Sequence, residues 1–234
     1  MLSSYSRETL KKVSTATLTT VLFKRGLRNV FIQGIFLLNR GAPRMVGEAF
    51  TLRYIPARED VDQLGAFEGR GHAQREAIEA CPPGHVLVMD ARRDASAATG
   101  GDILMTRLMV RGVSGVVTDG GLRDSPTIEK LDWPAYCGAR SAPLNLVRHH
   151  AVESQVPIGC GGVAVYPGDV LVGDAEGVVV IPAKMAEEVA KEAQAQTEFE
   201  DWVEAKVKEG RSIFGLYPPN AETKAEFEAY KKRR

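Results

Sequence analysis

The chain has 234 residues, long enough to bury a core of its own without disulfide or metal staples. Its 30 basic side chains are matched by 30 acidic ones, so it lacks the cationic surface on which general nucleic-acid backbone binding depends. A composition of 44% hydrophobic and 26% charged residues is that of a globular protein, and no apolar run approaches the roughly 18 residues of a membrane span.

In chain order, Leu10, Val13, Leu18, Val21 and Leu22 recur at mostly helical spacing over 7–25. Gly26 takes a C-cap place, so one or two helices open the chain. A short apolar run over 30–38 is broken by Gly34, and 46–54 reads as a strand. Residues 65–71 form a flexible loop before a helix that runs to Ala80 and is stopped by Pro82, Pro83 and Gly84. The run 85–90 is a buried strand. Gly100 and Gly101 precede a helix over 102–111, which Gly112 closes. A strand over 113–119, a Gly120-Gly121 turn and a helix opened by Ser125-Pro126 follow. This alternation predicts right-handed parallel βαβ units. From 157 to 182 the pattern changes to short hairpin strands punctuated by Pro167-Gly168-Asp169 and 174–177. Residues 184–209 form a long charged helix ended by Gly210, with Phe199, Trp202 and Val203 expected to pack on a neighbouring chain. The basic tail over 231–234 reads as solvated. The expected organisation is one α/β domain over 1–209 and a C-terminal extension over 210–234, in a soluble cytoplasmic protein with no nucleic-acid or membrane partner.

Familiar chemical motifs are missing. Gly65, Gly69 and Gly71 do not make G-x-G-x-x-G, and no Walker lysine follows a glycine loop. The glycines at 159–162 lead into a strand, and Ser114 lies in no G-x-S-x-G. Cys81, Cys137 and Cys160, widely spaced and without C-x-x-C, exclude a fully paired disulfide framework and a cysteine zinc site. His72, His85, His149 and His150 read as surface or structural residues; placed on a helix, His149 and His150 would point in different directions.

Two segments hold more promise. Residues 100–104 and 118–126 would form two βα turns at neighbouring strand ends, where open α/β sheets bind ligands. The first offers the backbone N–H groups of Asp102, Ile103 and Leu104 at a helix start, suited to a carboxylate or phosphate. The second sets Arg123 beside Asp124 on a glycine-loosened loop, a pair able to hold an anionic substrate and a hard divalent cation. The same residues also read as plain structure, with Asp102 and Asp124 as helix caps and Arg123 in an ion pair.

The run from Gly101-Asp102 through Gly112 and 113–118 to Asp119-Gly-Gly-Leu-Arg123-Asp124 resembles the signature of the RraA-like superfamily. That superfamily includes the class II 4-hydroxy-4-methyl-2-oxoglutarate/4-carboxy-4-hydroxy-2-oxoadipate aldolases. Ser14 to Leu18, Gly47 to Thr51, Pro167 to Asp169, Gly173-Asp174 and Glu176 to Pro182 extend the likeness. The resemblance implies a compact α/β/α swivelling-domain fold with a central mixed sheet and a long C-terminal helix, assembled as a trimer or hexamer. It implies a carbon–carbon lyase that releases pyruvate from a 4-hydroxy-2-oxo acid, with oxaloacetate decarboxylase activity beside it. Asp124 would anchor Mg²⁺ or Mn²⁺, and Arg123 would contact the pyruvate moiety and its enolate. Asp102 would handle protons, and the amides from Gly101 to Leu104 would bind the carboxylate. Glu200 of a neighbour, or Glu198, would support the metal's waters. Thr127 stands where many members carry an acidic residue, and Thr19-Thr20 where Ser-Asp is frequent. The superfamily also holds a protein-binding ribonuclease E regulator, and some relatives carry a methyltransferase label. The first needs no Arg–Asp site, and the second finds no glycine-rich cofactor loop here.

Overall fold

The computed structural model describes residues 2–233; Arg234, the last residue of the basic tail, lies outside them. Two helices open the chain, α1 (Ser4–Leu10) and α2 (Thr15–Lys24). Ser14 caps α2 by accepting from the Thr17 amide, and the Asp174 carboxylate takes the Thr15 amide and hydroxyl at 2.8 and 2.9 Å. The Ser14 motif therefore serves to pin a helix N-terminus to a distant hairpin turn.

The strands β1 (Phe36–Leu37) and β2 (Met45–Pro56) follow, then α3 (Ala73–Ala80) and β3 (His85–Asp90). Next come α4 (Asp102–Val110), β4 (Gly115–Thr118), β5 (Gly121–Leu122) and the single-turn α5 (Ser125–Ile128). The third quarter is β-rich, as its turn residues predict: β6 (Ala135–Cys137), β7 (Ala139–Arg140), β8 (His149–Ser154), β9 (Ile158–Cys160), β10 (Val163–Val165), β11 (Val170–Gly173) and β12 (Val178–Ile181). The long helix α6 (Ala186–Lys208) and a last helix α7 (Ala221–Lys231) close the chain.

Eight strands form one mixed sheet in the order β1-β6-β4-β3-β2-β11-β12, with β8 also on β2. Strands β2, β3, β4 and β6 are parallel, as the βαβ reading requires, while the β11–β12 hairpin adds antiparallel to β2. The parallel strands are buried on both faces, which is why Val86, Leu87, Val88 and Met89 are uninterruptedly apolar and fully covered. One face packs α3 and α4, the latter through Met105 and Leu108, over Leu87, Met89 and Val116. The far end of the sheet packs α1, α2 and α6 over Val46, Val172, Val179 and Ile181. Between them, Val86, Val88, Val117 and Leu171 face β9 and β10. Among the described residues no helix is long and apolar enough to cross a membrane.

Two expectations need correction. His149 and His150 begin a strand rather than lie on a helix, so they face opposite sides. His149 is fully buried, and His150 pairs with Asp62 at 2.7 Å. The apolar end of α6 is covered by this chain rather than by a neighbour: Trp202 and Val203 are buried with Leu216 and Phe227 of the extension, and Phe199 packs alongside. Trp202 and Phe227 lie 5.4 Å apart between ring centroids, close enough for an aromatic contact.

Candidate active site

The carboxyl ends of β3 and β4 are tied together by Asp119. Its buried carboxylate accepts the amides of Ala91 at 2.6 Å, Arg93 at 3.1 Å and Gly161 at 3.0 Å. Burial pushes this carboxyl above its usual range, against the pull of those amides. From this knot the segment 97–101 runs beside 120–123. The Gly121 amide donates to the Ala97 carbonyl, Thr99 to Gly121, and Arg123 to Gly100 at 3.0 Å. Side chains hold the same segment from behind. Tyr54 and Gln74 both donate to the Thr99 carbonyl, at 3.2 and 2.6 Å, and His149 Nε2 lies 3.3 Å from the Ala97 carbonyl. Strand β7 lies parallel to β5, and the chain after it adds bonds from Ala98 to Pro143 and from Ser141 to Leu122. Gly101 and Arg123 are therefore fixed by neighbours on both sides.

This scaffold frames a cleft of about 380 Å³. Gly101, Asp102, Ile103, Leu104, Arg123 and Asp124 all line it, as do Phe67, Gln74, Arg75, Leu144 and Asn145. A Cβ on Gly101 would sit 2.7 Å from Asp124 Oδ2 and 3.0 Å from Arg123 Cγ, so any larger residue there would displace the pair. Asp124 holds a left-handed backbone, φ 55°, one that costs a non-glycine residue about 1 kcal/mol or more. It occupies the N-cap position of α5, yet its side chain caps nothing. The carboxylate instead lies 3.4 Å from Arg123 Nε. That separation does not make a hydrogen bond here, and Arg123 Nε is buried without an acceptor among the described residues. An unsatisfied buried donor beside a strained carboxylate is what a site kept ready for a ligand looks like.

The plain capping reading thus fails for Asp124, while Asp102 retains part of it. Gly101 is the N-cap of α4, Asp102 is the first helical residue, and Asp102 Oδ1 accepts the Ile103 amide at 2.8 Å. The Ile103 amide, expected to be free, is therefore occupied. The amides of Asp102 and Leu104 have no protein acceptor among the described residues and remain available to an anion at the helix start.

Glu200 does not line the cleft of its own chain. It accepts from Thr17 at 2.9 Å, from Gln196 at 2.8 Å and from Tyr217 at 3.2 Å, where α2, α6 and the extension meet. Glu198 is exposed near Phe227, also outside the cleft. Among the described residues no three His, Cys, Asp or Glu side chains converge as a metal cage. Asp124 and Asp102 offer hard carboxylate oxygens without sulfur or imidazole. That donor set suits an ion that keeps much of its water, as Mg²⁺ does, and not zinc.

The cysteines stay out of the chemistry. Burial pushes the thiols of Cys81 and Cys137 up to about 12, and that of Cys160 well above its usual value. Sequence reasoning missed Arg75, Gln74 and Asn145, which reach the cleft from α3 and from the turn after β7. Asn145 is a polar residue set among Leu144, Leu146 and Val147, and it is buried.

The family model described as RraA-like, Aldolase/RraA, matches residues 15–180. A protein of Halalkalibacterium halodurans named "Putative 4-hydroxy-4-methyl-2-oxoglutarate aldolase" is 37% identical over 134 residues, which are 56% of this chain and 63% of that relative. The matched part of the chain thus spans less than two thirds of that relative's length. Among solved structures, an uncharacterized protein from Pseudomonas syringae superposes with a TM-score of 0.81 at 26% identity, covering 92% of this chain and 94% of that one. Streptomyces coelicolor RraAS2, described as an unusual member of the RNase ES inhibitor RraA protein family, gives a TM-score of 0.76 at 30% identity, over 86% of this chain and 96% of that one.

Proposed function

The chain belongs to the RraA-like Aldolase/RraA family, and on that premise we propose that it is a divalent-metal-dependent lyase releasing pyruvate from a 4-hydroxy-2-oxo acid. The observation that carries the proposal is the Gly101–Arg123–Asp124 contact, in which a glycine makes room at one cleft for a strained carboxylate and a guanidinium whose Nε has no hydrogen-bond acceptor among the described residues. The names of relatives at moderate identity point the same way.

In this reading Asp124 holds Mg²⁺ or Mn²⁺, with Asp102 beside it. The ion, when bound, supplies Lewis-acid polarisation of a 2-oxo acid. The amides of Asp102 and Leu104 receive the substrate carboxylate at the helix start. Deprotonation of the 4-hydroxyl lets the C3–C4 bond break, and its electron pair passes to the 2-oxo group as a pyruvate enolate. Arg123 faces that developing charge with an Nε that makes no hydrogen bond among the described residues, though it lies 3.4 Å from the Asp124 carboxylate. Preorganised donors of this kind are worth about 3 kcal/mol each in related acyl chemistry. Asp102, whose Oδ1 is occupied by Ile103, has Oδ2 left to pass a proton and to return it to the methylene carbon. Oxaloacetate decarboxylation would use the same enolate.

Glu200 enters this centre only from another copy of the chain, so the proposed assembly is a trimer or hexamer. Ile103 and Val110 support it: they leave α4 79% and 70% exposed beside the cleft, an apolar face suited to an interface. The second reading is a protein-binding regulator, favoured by the description of the Streptomyces relative. Such a role has no use for a strained Asp124 packed closely against Gly101. A screen of 4-hydroxy-2-oxo acids and oxaloacetate for pyruvate release separates the two. The lyase reading expects release with Mg²⁺ or Mn²⁺ that EDTA abolishes; no release under any metal, or full activity in EDTA, would overturn it.

A further inference from the structure

We propose that the C-terminal extension builds a second ligand site, away from the cleft, for a small aromatic carboxylate. Helices α2 and α6 and the extension bound a pocket of about 570 Å³. It is larger than the cleft at Arg123 and within the range of small-molecule sites. The inference stands apart from the lyase reading, since no described residue of this pocket lines that cleft.

Phe199, Tyr217 and Phe227 give the pocket aromatic walls, and Phe199 meets Phe227 edge to face with ring centroids 5.1 Å apart. These walls are set before any ligand arrives. The Gly215 carbonyl accepts both the Asn220 amide and the Thr223 hydroxyl at 2.8 Å, and Arg211 pairs with Glu226, so the loop after α6 is tied to α7. The Tyr217 hydroxyl donates to Glu200 at 3.2 Å while the residue stays 48% exposed, so its ring is held and still open to a ligand. A preformed aromatic slot takes up a flat ring with little ordering cost.

The pocket's charge is cationic. Lys24 and Lys224 both line it, and neither has a carboxylate partner among the described residues. Lys24 Nζ donates at 3.0 Å to the neutral Gln196 Oε1, because the acids nearby, Glu188 and Glu192, are taken by Arg25. Glu228, the acid on the pocket wall, pairs with Lys231 at 2.6 Å. Glu200 lies behind Gln196 and Tyr217 with both oxygens occupied, one by Thr17 and the other by those two residues. Aromatic walls with two uncompensated ammonium groups fit a planar ring that carries a carboxylate. A neutral ring would leave the lysines unmatched, and a small inorganic anion would leave the walls wet.

The test compares, by calorimetry on the full chain, naphthalene-2-carboxylate with naphthalene-2-methanol, the same ring without the charge, and with inorganic phosphate. The wild-type protein should bind the carboxylate at least about fivefold more tightly than the alcohol, the scale of a partly exposed ion pair, and phosphate more weakly than either. Lys24→Met and Lys224→Met should each weaken the carboxylate about threefold, and together about tenfold, while leaving the alcohol unchanged. Both lysines are exposed, so the melting temperature should hold. Trp202 touches Phe199 and Phe227, so the bound ring should quench its fluorescence. Equal binding of acid and alcohol, or phosphate binding as tightly as the acid, would overturn the site. Binding of neither ring compound, as when a second copy of the chain covers the pocket, would overturn it too. So would acid binding that the double variant leaves intact, which would place the ligand elsewhere, as in the cleft at Arg123.

Discussion

Asp119 and Asp124 lie five residues apart on one loop, and both belong to the same sequence signature. Asp119 is buried, accepts three backbone amides and locks the ends of β3 and β9 to β4. Asp124 is exposed, left-handed and bonded to no amide, and its nearest cation is Arg123. A motif records only that an aspartate is needed at both places. The surroundings say why: one carboxylate stabilises the scaffold, and the other is held against its backbone preference for use.

Substitution should split the pair. Asp119→Ala would strand three buried amides, a loss on the order of 3 kcal/mol or more, and should give little folded protein on thermal denaturation. Asp124→Asn keeps a side chain tolerant of the left-handed region and should melt near the wild-type temperature while losing metal-dependent pyruvate release. If both variants unfolded alike, the division between scaffold and site would collapse.

A smaller effect is expected at Gly101, where the contact between the two sides can be altered by one methyl group. Gly101→Ala has no φ problem, since Gly101 is extended at φ −124°, so its cost is steric. The new Cβ would push Asp124 and Arg123 apart. We expect roughly 10-fold to 10²-fold lower kcat, the scale of an ångström of misplacement, with a modest loss of stability. Wild-type kinetics would show that the pair need not be held at that spacing.

The smallest expected effect is on pH dependence, through the residue behind the scaffold. Burial holds the pKa of His149 below its usual 6.5, with the Ala97 carbonyl opposing and Arg92 reinforcing the shift. The unfolded chain therefore takes up the proton first, so the stability contributed by neutral His149 is present above about pH 6.5 and is lost as pH falls towards its folded pKa. His72, also held low by burial, adds to the same slope. Melting temperatures measured across this range should decline on acidification, and His149→Gln should flatten the decline. An unchanged slope in that variant would remove His149 from the linkage.

What could be read from the chain alone follows the same division. Strands β3 and β4 announce themselves by short unbroken apolar runs, and the cleft's first wall by Gly101-Asp102 and Arg123-Asp124, because local sequence builds those turns. Helix α7 escaped notice because Thr223 and Phe227 are its only buried side chains. Asn220 was the available signal, as its side chain caps the helix by accepting the Thr223 amide at 2.9 Å. The apolar positions of α6 were legible, but their partner was not, since α7 reaches them through a loop with little pattern. Strand β8 was misjudged because two polar histidines open it, although buried and less buried positions begin to alternate there. Arg75 and Asn145 could not be found, since only the pairing of β5 with β7 and the Gln74 bond to Thr99 bring them to the cleft.

The most direct test of the account is Arg123→Ala, with melting temperature and steady-state pyruvate release measured on one preparation. If Arg123 holds the enolate charge, the variant should melt close to wild type and lose roughly 10²-fold or more in kcat, the scale of one lost oxyanion donor. A destabilised variant that turns over at the wild-type rate in its folded fraction would contradict the account and leave Arg123 and Asp124 as a structural ion pair.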